Sequence, residues 1–438
     1  MFDFGVVAAS LAVLYENRFL TDQTKQEPVL LWQRDIENFA TGLAASNGKV
    51  YTIDLWGNIS CYEAQTGESV WTGSIGAYWG SGVTASRIMV YGGKSGVRVG
   101  AVKASTGELQ WIVGTFHNSA WSKRAPSNIT VLEGRLFVTG DGFGVYDAST
   151  GELLWENTGI QFRTDANITN PGWLTAWPFE GNRLFGTGGV VMVGFFVYRL
   201  DPDTGAVLWS RPSSTLVNGS PIVYENQVIM RNGTEEETTL FSFDENSGDT
   251  LWSYNVDAQV FQPTVHNGLL VFEASDGNVY ALHFSDGTLA WKTYVDTPNI
   301  TSFANSDNPL KGLEIQIDTK NNRAIGGFAV TTQLGAFVEN GTDEYGGFLC
   351  SLDLDNGNIA WNEQFSTEGD ISHENGQFNL CLTENHIYLT TAFNDFWILN
   401  KSNGAIIEFQ HFEHYVLPAT AEENRVFVTA DLWVFAYE

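Results

Sequence analysis

One phrase recurs eight times along this chain, and everything else has to be read around it. It appears as YEAQTGESVW from Tyr62 to Trp71, VKASTGELQW to Trp111, YDASTGELLW to Trp155, LDPDTGAVLW to Trp209, FDENSGDTLW to Trp252, LHFSDGTLAW to Trp291 and LDLDNGNIAW to Trp361. The eighth copy, LNKSNGAIIEF, carries Phe409 where the others carry Trp. Every copy holds a Gly, at 67, 107, 151, 205, 248, 287, 357 and 404, preceded by Thr, Ser, Asp or Asn. Such a pair between two apolar runs is a hairpin signal, because Gly accepts positive φ and the preceding polar side chain bonds nearby backbone. A period of about 40 to 50 residues means a repeat architecture.

A second hairpin precedes each of these turns. Asn47-Gly48 leads into Lys49 to Ile53, Glu133-Gly134 into Arg135 to Val138, and Asn267-Gly268 into Leu269 to Phe272. Each unit therefore holds four short strands, and no long stretch of helical periodicity follows residue 25. Many short strands at regular spacing, four to a unit, predict an all-β fold, a β-propeller of four-stranded blades. The expected role of Trp71, Trp111, Trp155, Trp209, Trp252, Trp291, Trp361 and Phe409 is to wedge between neighbouring blades, each Trp burying roughly 150–250 Å². Ligand contact is the weaker reading, since a ligand needs no eight copies.

The chain finishes with two strand-like runs, Asn424 to Val428 and Leu432 to Tyr437, with no outer strand after them. Near its start, Pro28-Val29-Leu30-Leu31-Trp32 reads as an orphan outer strand with its own Trp32. The N-terminal strand is expected to complete the last blade, which leaves no open sheet edge at the closure. Eight turns plus this split unit give nine blades, with eight as the alternative. The longest interval, between Gly287 and Gly357, places an insertion within Thr293 to Asn322, and loops on a rigid scaffold are where binding concentrates. The domains are an apolar extension, residues 1–27, and the propeller, residues 28–438.

The A-x-T-G-x-x-x-W pattern resembles the tryptophan-docking repeat of the pyrroloquinoline-quinone (PQQ) dehydrogenase-like β-propellers, over roughly residues 29 to 438. That superfamily includes quinoprotein alcohol dehydrogenases and BamB-type outer-membrane assembly scaffolds. The resemblance implies the fold; it leaves the function open between these two. The dehydrogenases hold PQQ at the propeller axis, many with a vicinal disulfide, calcium ligands and an Asp base. This chain has no adjacent cysteines, and no residue matches the base or the calcium ligands, so no cofactor is expected. No lipobox cysteine stands near the start, a departure from the BamB-type lipoproteins.

Composition narrows the partners. A net charge of −29 would repel phosphates and argues against nucleic acid. Cys61, Cys350 and Cys381 are far apart and read as buried free thiols, with no disulfide framework and no zinc spacing. Eight sequons, at Asn58, Asn128, Asn167, Asn218, Asn232, Asn299, Asn340 and Asn400, are candidate N-glycosylation sites if the protein is exported by a glycosylating cell. The spacing of His411, Glu413 and His414 fits no strong metal motif. Asp201-Pro-Asp203 and Asp353-Leu-Asp355 superficially resemble calcium loops but lack the rest of the pattern, so their carboxylates are read as turn caps.

The extension carries an apolar run, with Phe4, Val6, Val7, Leu11, Val13 and Leu14 as candidate subunit contacts. It falls short of the ~20 residues of a membrane span. No basic flank precedes it, which disfavours both a secretory signal and anionic lipid, although membrane association without spanning stays open. A contiguous apolar surface needs a cover, and the expected cover is a neighbouring protein or a second copy. The expected function is a non-enzymatic, exported or cell-surface scaffold or structural assembly subunit; the alternative is a PQQ-dependent dehydrogenase.

Overall fold

The computed structural model describes residues 28–76, 80–94, 98–114, 128–139, 143–157, 185–186, 189–193, 196–212, 221–234, 236–295, 311–331, 343–369, 378–391, 395–412, 416, 419–422, 424–430 and 432–438. The extension, with Phe4, Val6, Val7, Leu11, Val13 and Leu14, lies outside them, as do Asn167, Asn218, Asn299 and Asn340.

The described residues are all-β, without a helix, and form nine antiparallel sheets. The first sheet shows the plan. Ala40–Ser46, Lys49–Asp54, Asn58–Glu63 and Ser69–Ser74 pair in sequence order, and the left-handed Asn47-Gly48 pair turns the first hairpin. Residues 80–114, 128–157, 185–212, 222–256, 264–294, 311–369 and 378–411 repeat this plan as the second to eighth sheets. The ninth departs from it. Thr420–Glu422, Arg425–Ala430 and Trp433–Tyr437 are joined at their edge by Leu30–Asp35, so its fourth strand comes from the other end of the chain. Val29 and Glu438 exchange both backbone hydrogen bonds where that pairing begins.

The second and third strands of each sheet are apolar on both faces, because each sheet lies between two others. Tyr51, Ile53, Ile59 and Cys61 of the first sheet share a core with Val90 and Val102 of the second. Leu240 and Trp252 of the fifth pack with Phe272, Tyr280 and Leu282 of the sixth. Tyr388, Phe396 and Ile398 of the eighth meet Val426, Val428 and Tyr437 of the ninth. Phe427, Val434 and Ala436 of the ninth meet Val50 and Tyr62 of the first.

Antiparallel order separates the connections into two groups. Turns after the first and third strands of a sheet fall at one end, and they are short throughout. Connections after the second and fourth strands leave from the other end, and all the long intervals between strands belong to this group, including 115–127, 158–184 and 296–310. Part of the interval read as an insertion is instead used as strand. Lys311–Gly312 and Gln316–Asp318 both pair with Arg323–Thr331, and together they supply the first strand of the seventh sheet.

Candidate functional site

The junctions between successive sheets are built by the recurring turn. Trp32, Trp71, Trp111, Trp155, Trp209, Trp252, Trp291 and Trp361 are all buried, and each ring lies flat on the turn Gly of the next sheet. A Cβ added to Gly67 would sit 2.5 Å from Trp32 Cδ2, and one on Gly151 would sit 2.6 Å from Trp111 Cδ2. Each of the eight Gly also has positive φ, near +70°, so both the backbone and the space demand glycine. Seven of the indoles then donate to a carbonyl in the same turn. Trp32 Nε1 reaches Ala64 O at 3.0 Å, Trp209 reaches Glu245 O at 2.8 Å and Trp361 reaches Lys401 O at 3.1 Å. The Nε1 of Trp111 is buried without such a bond.

A bulge sets the angle of every docking ring. Cys61 pairs with Trp71 and Tyr62 with Ser69, so Val70 is left over. Leu154, Leu208 and Leu251 are left over in the same way. A bulge bends its strand and re-aims the neighbouring side chain. Here it turns the Trp into the junction and leaves the extra residue facing outward.

The eighth sheet corrects one expectation from the sequence. Phe409 does not hold the docking position. The bulge there leaves out Ile407 and pairs Ile398 with Glu408, so the residue four places after Gly404 is a glutamate. A one-residue displacement in a strand sends the side chain to the opposite face. Phe409 accordingly lies on Trp397 of its own sheet, with ring centroids 4.2 Å apart, and is 42% exposed. The partner position in the ninth sheet is also changed. Four residues before Trp32 stands Pro28 rather than Gly. The ninth junction therefore has Glu408 and Pro28 where every other has Trp and Gly. Burial raises the Glu408 carboxyl above its ordinary pKa, and its charge adds to the rise that burial gives the Tyr388 and Tyr437 hydroxyls.

Buried charge elsewhere serves the junctions. Arg199 pairs with Glu245 under the Trp209 ring. Lys401 Nζ bonds Asp318 at 3.1 Å and Thr383 O at 2.8 Å beneath Trp361. Glu273, which sequence reasoning missed, is 1% exposed in the sixth sheet and reaches into the break of the split strand of the seventh. The Gly327 N–H donates to its Oε1. A side chain at Gly312 or Gly326 would collide with the carboxyl. Burial pushes the Glu273 pKa up to about 8; the Gly327 N–H works against that rise, and the Glu314 charge adds to it.

His411 Nδ1 lies 2.7 Å from Asp395 Oδ1, a carboxyl that burial raises to about 6 against the pull of the imidazole. Glu413 and His414 lie outside the described residues. Asp201 Oδ1 accepts from the Asp203 and Thr204 amides at 2.9 and 2.8 Å, and Asp353 Oδ1 accepts from the Asp355 amide at 3.0 Å. Both carboxylates are turn caps. Of the sequons, Asn58 and Asn232 are half-buried within strands, and the Asn58 amide donates to Asp54 Oδ2 at 2.8 Å. Asn400 accepts from Ser402 in its turn, and Asn128 begins the first strand of the third sheet. The three thiols are free and on different sheets, and burial raises Cys61 and Cys381 to about 12 and Cys350 well above its ordinary value.

What the junctions leave outward is a rim of fourth strands. Leu153, Leu154, Val207, Leu208 and Leu251, on three consecutive sheets, are each about half exposed, at 45, 46, 48, 54 and 48%. The outer edge of these strands pairs with no further strand among the described residues.

Comparison with known proteins fits this architecture. Residues 95–166, 146–302 and 196–379 match the family described as outer membrane protein assembly factor BamB, which takes in more than half of the chain. The BamB of Yersinia pestis is 23% identical over 296 residues, 65% of this chain and 66% of that protein. The BamB of Nitrosomonas eutropha is 27% identical over 169 residues, 38% and 34% of the two. The chain thus spans between a third and two thirds of the curated relatives it matches. Among solved structures, the quinohemoprotein alcohol dehydrogenase ADHIIG of Pseudomonas putida HK5 superposes with a TM-score of 0.50 at 13% identity, covering 94% of this chain and 76% of that one. At that identity the likeness is one of fold.

Proposed function

The chain belongs to the family of the outer membrane protein assembly factor BamB, and from that membership we propose that it is a non-enzymatic protein-binding scaffold of the cell envelope or cell surface. The observation that carries the reading is the rim. Leu153, Leu154, Val207, Leu208 and Leu251 combine exposed apolar area with strand edges that pair with nothing further among the described residues, the two features by which a sheet takes up another polypeptide. The turn face cannot serve as easily, because its Gly and Trp are consumed by the junctions.

In this reading the nine sheets close into a ring, supported by the pairing of Leu30–Asp35 with Trp433–Tyr437 and by the cores on both sides of the ninth sheet. Deleting residues 1–33 is then expected to destabilise the protein, and deleting residues 1–24 to leave it folded; equal thermal midpoints would defeat closure. The extension, through residues 4–14, joins the scaffold to a neighbour.

The test is capture of envelope proteins by the purified chain, with Leu154→Glu and Leu208→Glu as rim variants. Both positions are outward bulge residues, so folding should be unaffected and capture lost. The rival dehydrogenase reading predicts that added PQQ and calcium give cofactor absorbance and dye-linked alcohol oxidation. That outcome would replace the scaffold.

A further inference from the structure

The fourth strand of the eighth sheet, Ile406–His411, differs from the other outer strands in three ways that meet at one place. First, its docking position is Glu408, so no indole ties it to the ninth sheet. Second, it carries an aromatic residue one place after the docking position. Phe409 is 42% and Ile406 38% exposed, while the position of Phe409 is held elsewhere by Gln33, Thr72, Ile112, Glu156, Ser210, Ser253, Lys292 or Asn362. Third, the chain enters the ninth sheet beside it. In the other eight junctions the turn Gly touches the docking ring of the preceding sheet. By the same register Pro28, at the Gly position, stands next to Glu408, and residues 1–27 depart from there.

The place where the extension joins follows from topology. Leu30–Asp35 is a fourth strand, and fourth strands begin at the end of the molecule that carries the short turns. Pro28, two residues ahead of that strand, thus stands at that end. Residues 15–27 separate that point from the apolar run. Thirteen extended residues reach at most about 45 Å. That is long enough for Phe4–Leu14 to meet a second copy.

We propose that the apolar run of one copy adds as a further strand to Ile406–His411 of a second copy, with its side chains covering Phe409 and Ile406. The contact rests on the reading that the extension engages a neighbour, and it names both the neighbour and the strand that receives it. Backbone pairing at a free edge supplies affinity, and alternate side chains supply specificity. The contact is heterologous, because the donor run and the acceptor strand are different surfaces, so it propagates into chains of copies unless the rotation closes.

The experiment is sizing of the full chain by light scattering at 0.15 M salt and above, since −29 charges per copy repel at low salt. Four proteins are compared: the full chain, the chain without residues 1–24, Phe409→Asp and Ile406→Asp, each with its thermal midpoint recorded. A cysteine pair, Ala9→Cys and Phe409→Cys on differently tagged copies, reports which chains touch. The expected result is assembly of the full chain, loss of assembly in the truncation and in both Asp variants with midpoints retained, and a disulfide between tags. Ile406→Asp decides if Phe409→Asp unfolds by exposing Trp397. Assembly that survives truncation defeats both the extension reading and this contact. Assembly lost on truncation but kept in the Asp variants defeats this contact alone. A disulfide formed only within single chains, or a full chain that stays monomeric, overturns the second-copy assignment.

Discussion

Eight junctions between sheets and the ninth are made of the same strands and differ in two residues. In the eight, an indole lies on a glycine that has no room for a side chain, and seven of the indoles also bond a turn carbonyl. In the ninth, Glu408 and Pro28 take those positions, and the contact relies on Tyr388, Phe396, Phe412, Phe435 and Tyr437. The changes are matched. A proline ring at the glycine position leaves no flat surface for an indole, and a glutamate is short enough not to need one. The difference teaches that the docking motif and the core of a sheet are separable: the core alone brings the ninth sheet against the eighth.

The largest expected effect lies in the eight. Trp155→Ala should cost roughly 3–5 kcal/mol, the range for truncating a large buried aromatic, and Gly205→Val should cost a similar amount because it combines positive φ with a collision against the Trp155 ring. Urea titration measures both; a loss below about 1 kcal/mol would mean that the docked ring contributes no more than a surface residue. A smaller and more diagnostic effect is expected in the ninth. Glu408→Trp alone should be neutral or destabilising because Pro28 obstructs the ring. Glu408→Trp with Pro28→Gly should be more stable than either single change, by a coupling of roughly 0.5–3 kcal/mol. Additive single effects in the same titration would break the comparison.

A further, pH-dependent effect is expected at Glu273, which lies away from the ninth junction. Its folded pKa, about 8, is raised above the usual carboxylate value of about 4.5. The folded state therefore holds a proton that the unfolded state has released between these values. The sign is that stability is fullest below about 4.5 and falls as pH rises to about 8. Glu273→Gln keeps an acceptor for the Gly327 N–H and should flatten this slope. Thermal midpoints of both proteins from pH 4.5 to 8 should diverge as pH rises, with the variant higher; parallel curves would show that Glu273 does not titrate in this window.

The turns and strands were legible because their cause is local. Asn47-Gly48 or Thr66-Gly67 bends the chain through its own φ preferences, so a reader needs only neighbours in sequence. Phe409 was misread for an instructive reason. An aromatic replaced an aromatic, and residue type drew attention from count, while the bulge makes position four after the glycine decisive. Glu273 was invisible because its reason lies some 54 residues away in a break of another strand.

The one-to-one pairing of each tryptophan with the glycine of the following sheet has a consequence for ancestry. A duplicated unit arrives carrying one ring to give and one glycine to receive, so it satisfies both new neighbours without a compensating mutation anywhere else. Loss of a unit is equally silent. The number of units can therefore drift by whole steps along a lineage, and only the sheet made from both ends of the chain is held fixed by its mismatched pair.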